Sequence, residues 1–177
     1  ENTEGFWAWI TGRQGIGFSV RLELAVPASS PVNVRNGFGT VEATGLRAGA
    51  SVVNSNGSVV FRACKGVQRL ETSFGKIEMD GNDGDVTLVN DNGDVRVIDV
   101  TGRAGVRTSF GSVTVARVSA NVDVQNSNSA VDVSDVGGRA TLGTSFGPIR
   151  ALRVKGDLIA RNDNGEVVLE QITGAAD

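Results

Sequence analysis

The stretch Asp80–Asp85, which reads DGNDGD, has the residue types and spacing closest to a chemical site in this chain. A Ca²⁺-binding loop needs oxygen ligands at its first, third and fifth places. Asp80 and Asn82 supply the first two, but Gly84 stands at the fifth. The sequence NDNG, which occurs twice elsewhere, is typical of turns. We therefore predict turns in these segments, and no metal site.

The composition excludes most of the residue sets that enzymes use for catalysis. The chain has no His and no Tyr, so the commonest general base and metal ligand are missing. The single cysteine, Cys64, excludes an internal disulfide and a Cys-based zinc site. Its place at an apolar repeat position predicts a small core residue. The stretch GRQGIG at Gly12–Gly17 lacks the flanking strand and helix of a nucleotide-binding loop. We identify no catalytic, cofactor-binding or metal-binding residue, and no cofactor.

Paired carboxylates are the remaining route to catalysis, as in β-helical enzymes that act on polysaccharides. Such enzymes build their clefts from long loops, and the repeats of this chain contain no insertion. We therefore predict that the protein is not an enzyme, and keep a carbohydrate-binding or carbohydrate-active β-helix as the alternative. The net charge of −3 without a basic block argues against nucleic-acid binding. No run approaches the ~18 apolar residues of a membrane span.

An 18-residue repeat defines the elements that must position any site. Cutting the chain into 18-residue units from Val32 gives eight units without insertion or deletion, and a constant period is typical of a solenoid. The tenth and twelfth residues of every unit are apolar, and this spacing of two is the periodicity of a strand. Each unit therefore predicts a strand, a Gly corner, a second strand and a bend near a small seventeenth residue.

Stacking such units predicts an all-β fold, a right-handed parallel β-solenoid, since crossovers between parallel strands are right-handed. Propeller blades usually need about 40–50 residues, more than one unit offers. We expect one domain, with the repeats at 32–177 and an N-terminal segment at 1–31. The alternating stretch that ends at Pro27 predicts a strand that caps the first coil. We expect Phe6, Trp7 and Trp9 to pack over the same end, with a partner-binding aromatic patch as the alternative.

The tetrapeptide TSFG occurs three times at 36-residue intervals. The seventh position of the units alternates without exception between two residue types: Phe38, Asn56, Phe74, Asn92, Phe110, Asn128, Phe146 and Asn164. Stacking of like on like, at about 4.8 Å, favours ladders of amides and of aromatic rings. We therefore predict two units in each 36-residue coil. Eight 18-residue coils are the alternative.

The side of the strand on which these Phe rings lie decides whether they could bind a ligand. Odd positions of the first strand share one face, and the first and third positions are apolar except at Gln68. This parity predicts that the rings point inward and pack in the core. It argues against an exposed aromatic platform for sugars.

The chain resembles a widespread bacterial family of adhesin-like domains of unknown function, from about Val20 to its end. The resemblance rests on the entry stretch VRLELAVPASSPVNVRNGFGTVEATGL and on the alternating TSFGxI/V and NxNGxVxV units that follow. Two positions depart from the pattern: Ser129 replaces a corner Gly, and Asn82 occupies an apolar position at which we expect a bulge.

The resemblance implies a β-solenoid on extracytoplasmic or cell-envelope proteins, and it supplies no catalytic motif. The function we expect is that of a structural or adhesive module with regular faces. Its partners would be a surface polymer, another protein, or a second copy that associates through the ends of the solenoid.

Overall fold

The computed structural model describes residues 27–177, and these fold into sixteen β-strands without a helix. The strands are β1 Val32–Phe38, β2 Val41–Thr44, β3 Ala50–Asn56, β4 Val59–Lys65, β5 Gln68–Phe74, β6 Ile77–Asp83, β7 Val86–Asn92, β8 Val95–Val100, β9 Ala104–Phe110, β10 Val113–Val118, β11 Val122–Asn126, β12 Val131–Val136, β13 Ala140–Phe146, β14 Ile149–Val154, β15 Leu158–Asn164 and β16 Val167–Ile172. The predicted cap, with Phe6, Trp7 and Trp9, lies outside the described residues.

Two parallel sheets face each other across one core. Odd-numbered strands form sheet A and even-numbered strands form sheet B, each in sequence order. Each residue pairs with the residue 18 positions further along, as Val52 does with Leu70 in sheet A and Val113 with Val131 in sheet B. The fold is therefore the expected parallel β-solenoid, with about eight coils. A rise of about 4.8 Å per coil makes the body roughly 38 Å long.

The prediction of a 36-residue coil is wrong, because one 18-residue unit completes one coil. Unlike residues therefore stack on each other: Asn56 of one coil pairs with Phe74 of the next. At position 5 of the coils, counted from Val32, Asn54 likewise pairs with Thr72. Ladders of identical side chains do not set the coil length.

The predicted apolar positions form the core. Position 3 of the inner coils is at most 1% exposed, and positions 10 and 12 are also buried. The end-coil residues Val34 and Ala160 are only partly buried, since among residues 27–177 each has a neighbouring coil on one side only. Cys64 is a free thiol within this core, as its repeat position predicts.

The first corner of each coil, between sheet A and sheet B, is held from inside by position 5. The Nδ2 of Asn90 donates hydrogen bonds to the carbonyl oxygens of Gly75 and Gly93, at 2.9 and 2.7 Å. Thr72 makes an equivalent contact from its hydroxyl to the carbonyl of Gly57, at 2.9 Å. Asn and Thr can therefore alternate, because Thr72 and Thr144 donate to the same row of carbonyls as the Asn residues do, although the buried hydroxyl of Thr108 has no hydrogen-bond partner.

The corner residue itself must be small. Gly75 and Gly111 both have φ of +131°, which favours glycine. A Cβ on either would also collide with the corner backbone of the preceding coil. The corner Gly thus meets both needs that the sequence suggested, a positive φ and a close approach of backbone.

The two departures from the repeat behave differently. Asn82 produces no bulge, since it pairs in register with Cys64 and with Val100. Its buried Nδ2 donates to the carbonyls of Gly66 and Gly84, at 3.0 and 2.9 Å, as position 5 does at the first corner. At Ser129 the coil is irregular, because β11 ends at position 5 rather than at position 7.

Candidate functional site

Four Phe side chains form an exposed row on the first corner of the solenoid. Phe74, Phe110 and Phe146 are 55–57% exposed, and Phe38 in the first coil is 83% exposed. Every other exposed large hydrophobic residue within 27–177 is a valine. The prediction that these rings pack in the core is therefore wrong, and the aromatic surface that parity argued against is present.

The rings point outward because the strand stops alternating at the corner. Along β5 the odd positions Gln68, Leu70 and Thr72 are buried, whereas Phe74 is exposed. The space inside the corner is already taken by position 5, whose side chain binds the corner carbonyls. Strand parity holds only while the backbone stays extended, and it fails where the chain begins to turn.

Asn residues separate the rings along the row. Asn92 pairs with Phe74 on one side and with Phe110 on the other. Successive rings are therefore two coils apart, or about 9.6 Å at a rise of ~4.8 Å per coil. We call this row of alternating Phe and Asn, at position 7 of the coils, the Phe–Asn ridge.

Three of the four Asn side chains of the ridge are held by the backbone of the preceding coil. Asn56 and Asn128 donate from Nδ2 to the carbonyls of Gly37 and Ser109, at 3.3 and 3.2 Å. An amide nitrogen has two hydrogens and its oxygen accepts bonds, so each Asn keeps polar groups for a further partner. The half-buried Ser73 adds a hydroxyl beside Phe74.

A groove on the opposite edge of the solenoid is the second candidate. It has a volume of about 810 Å³ and runs across the coils between Asp99 and Thr173. One wall is a charged ladder at position 14, in which Asp99, Arg117, Asp135 and Arg153 alternate in sign. The facing wall at position 16 consists mainly of small residues, which leave the groove open.

Two bidentate ion pairs hold this ladder together. Arg117 donates from Nε and Nη2 to the carboxylate of Asp99, at 2.6 and 2.8 Å. Arg153 binds Asp135 in the same way, at 2.5 and 2.8 Å. These hydrogen bonds hold the pKa of both aspartates below its ordinary value and raise the pKa of both arginines.

The protonation of the ladder limits its chemistry. A glycosidase needs one carboxyl group that stays protonated until it donates to the leaving group, and this requires a raised pKa. The pKa values of Asp99 and Asp135 are shifted the other way, so each stays ionised and paired near neutral pH. The groove can therefore bind polar groups, but these carboxylates are unsuited to donating a proton.

The side chains of the segment DGNDGD do not converge on one site, and they make structural contacts instead. Asn82 points into the core, whereas Asp80 and Asp83 are exposed. Asp83 accepts hydrogen bonds from Thr101 and Lys65, which lower its pKa. Within residues 27–177 no three acidic or Cys side chains cluster as metal ligands would.

The sequence contained a signal for the charged ladder. Asp99, Arg117, Asp135 and Arg153 follow one another at 18-residue intervals, so they stack once the coil length is known. A 36-residue coil instead places aspartates and arginines in different stacks, so the sequence did not predict the ladder.

Comparison with protein-family models, with curated proteins and with solved structures found no match. No helix among the described residues could cross a bilayer.

Proposed function

We propose that this chain is a non-catalytic, adhesin-like binding module whose Phe–Asn ridge contacts an extended polymer. The observation that carries the proposal is the exposure of four Phe rings at the same position of alternate coils. Large aromatic rings left in water are costly, and exposed rings that recur at one position of the repeat, unlike apolar residues scattered singly, point to an interaction site. A row that repeats every two coils suits a partner that is itself long and periodic.

The rest of the molecule supports a binding role rather than catalysis. In the described coils the strand register advances by the same 18-residue step from first to last, so no loop between them projects far enough to wall off a cleft. Asp99 and Asp135 in the groove are ionised and paired, and neither has the raised pKa that a general acid needs. The resemblance to bacterial adhesin-like domains agrees with this role, and we extend the proposal to a place at the cell envelope.

Co-sedimentation with insoluble polymers tests the proposal. Wild-type protein should pellet with at least one of cellulose, chitin or purified bacterial cell wall. A variant with Phe74→Ala, Phe110→Ala and Phe146→Ala should stay in the supernatant. Val67→Ala is the matched control, since Val67 is 62% exposed at the other edge, and it should bind as wild type does. Equal pelleting of the triple variant would rule out the ridge as the contact.

A further inference from the structure

We infer that the ligand of the Phe–Asn ridge is an uncharged, linear polysaccharide of β-(1→4)-linked pyranose rings that lies along the solenoid axis. This inference rests on the proposed binding function and names the class of ligand for the same surface. Three features carry it: the spacing of the rings, the polar groups between them, and the charge of the residues that flank the ridge.

The spacing of the Phe rings matches the repeat of such a chain. In an extended β-(1→4)-linked polysaccharide each sugar is turned over relative to the next, so equivalent faces recur at every second sugar. That two-sugar repeat is close to the rise of two coils, about 9.6 Å. Phe74, Phe110 and Phe146 would therefore each stack on an equivalent sugar face, whereas a helical α-linked chain would leave the row after one contact.

The groups between the rings suit the edges of a sugar. Pyranose rings present apolar C–H faces and hydroxyl-bearing edges, and aromatic rings pack against the faces while amides bond to the edges. Asn92 stands between two Phe rings, with its Nδ2 directed to the carbonyl of Ser73 at 3.5 Å. Its oxygen and second N–H remain for hydroxyl groups of the intervening sugar.

Charge selects against an acidic polymer. The ridge itself is uncharged, and the charged residues within two positions of it are four exposed carboxylates, Asp91, Asp94, Asp163 and Glu166, and one exposed cation, Lys76. These carboxylates repel polyanions such as nucleic acids and uronate-rich polysaccharides, as does the net charge of −3. A neutral polymer avoids this repulsion.

A second copy of the chain fits the ridge less well. A buried Phe covers about 150–250 Å², and the four rings are between half and fully exposed. Two ridges would have to bury all of their exposed ring surface, roughly 1,000 Å², together with the Asn side chains between the rings, to reach the ~1,200 Å² at which specific interfaces begin. A convex row of separate rings is better covered by a thin ligand than by another convex row.

Calorimetric titration with cello-oligosaccharides tests the inference on the full chain. Cellohexaose, which can reach three rings, should bind far more tightly than cellobiose, which can reach one. Phe110→Ala, which removes the middle ring, should weaken binding of cellohexaose by about tenfold. Val67→Ala should leave it unchanged, and circular dichroism should show that both variants are folded. Pullulan, which is neutral and α-linked, and polygalacturonate, which is acidic, should not bind.

Each contrary outcome separates the ligand class from the function. If pullulan or polygalacturonate binds and Phe110→Ala abolishes that binding, the ligand class is wrong but the ridge remains a binding surface. If cellohexaose binds equally to wild type and Phe110→Ala, the ridge is not its site. If wild-type protein binds no polymer, or sediments as a dimer that Phe110→Ala dissociates, both the ligand class and the proposed function fall.

Discussion

At the scale of single residues, positions 5 and 7 of a coil have opposite environments although they are two residues apart. Asn90 is buried and binds two corner carbonyls, whereas Phe110 is exposed. The buried position is occupied by a polar residue and the exposed position by an apolar one. Hydrophobic residues are not required to lie inside, but here the inversion has a cause, because unpaired corner carbonyls are costly to bury.

Replacing Phe110 with Ala should therefore change stability little. We expect the free energy of unfolding to fall by less than about 1 kcal/mol, since surface substitutions seldom cost more. Leu142→Ala is the matched control in the core, and it should cost about 2–5 kcal/mol because Leu142 is only 1% exposed. Urea unfolding measures both, and similar losses for the two variants would contradict the exposed position of the ring.

Asn90 should tolerate Thr better than Leu. Asn90→Leu removes the donor and leaves the carbonyls of Gly75 and Gly93 without it, at a cost of about 2 kcal/mol. Asn90→Thr keeps one donor, as Thr72 and Thr144 do in other coils, and should cost less than about 1 kcal/mol. Urea midpoints for the two variants measure the difference. The reverse order would show that apolar contact, rather than the corner bonds, decides the choice at this position.

The ion pair of Asp135 with Arg153 should make stability depend on acid pH. The hydrogen bonds from Arg153 lower the pKa of Asp135 in the folded state, so the pair stabilises the fold above the ordinary Asp pKa of about 3.9. The contribution is lost as the pH falls through the lowered pKa. The raised pKa of Arg153 matters only at extreme alkaline pH.

Asp135→Asn is the direct measurement of this contribution. Asn tolerates the positive φ of this position as Asp does, so the charge is the main change. We expect the variant to be slightly less stable than wild type at about pH 7 in low salt, and the difference to disappear as the pH falls through the lowered pKa of Asp135. A difference that does not shrink in acid, or that high salt leaves unchanged, would assign the effect to packing.

At the scale of elements, the strands of sheet B all turn through the same strained corner. Position 14 has a positive φ in every coil: Gly45, Ala63, Gly81, Asp99, Arg117, Asp135, Arg153 and Gln171. Only two of these eight residues are glycine, although this backbone region disfavours other residues. The strain is accepted because the bend brings position 15 into the core and points position 14 into solvent.

Ala63→Gly should therefore stabilise the protein by about 0.5–1 kcal/mol. Glycine relieves the strain of φ = +50° at this exposed position, and the relief exceeds the entropy that glycine costs in the unfolded chain. Ala116→Gly is the matched control one position earlier in its own coil, where φ is ordinary, and it should destabilise the protein instead. Thermal unfolding should show a higher midpoint for Ala63→Gly and a lower midpoint for Ala116→Gly. A change in the same direction for both variants would disprove the strain at position 14.

At the scale of the whole molecule, deletion of one coil should leave a folded, shorter solenoid. Removing the 18-residue segment Val86–Arg103 joins Asp85 to Ala104 at equivalent points of the repeat. It places Gly81 next to Arg117 and Asp85 next to Asn121, so no like charges meet. Because the stability of a repeat protein is close to a sum over its units and their interfaces, we expect a moderate loss.

The spectrum and unfolding of this variant would settle the coil length in solution. We expect the circular dichroism of a β-protein and one cooperative urea transition at a lower midpoint. Removing half a coil, Val86–Asp94, is the control, since it puts the second half of each coil out of register and should abolish folding. If the one-unit deletion also abolished folding while a two-unit deletion did not, the coil would have to contain two units.

The sequence predicted the architecture better than the surface. The 18-residue period, the parallel direction of the strands and the apolar core follow from positions 3, 10 and 12, because these positions have the same environment in every coil. The coil length was predicted wrongly because the repeat has an 18-residue period and a 36-residue period. The alternation of Phe with Asn at position 7 suggested a 36-residue coil, although both residues fit the same corner position of an 18-residue coil. The direction of Phe110 could not be derived from strand parity, since it depends on where the backbone leaves the extended state.

The 18-residue register also defines how the molecule responds to force. The hydrogen bonds between coils run along the solenoid axis, so tension along this axis is carried by all the interfaces in series, and the coils give way one at a time. Each coil that peels away releases roughly 60 Å of extended chain, at about 3.3–3.6 Å per residue. A solenoid pulled in this way yields in equal, small steps and keeps most of its length folded, so each step limits the force that the remaining coils transmit.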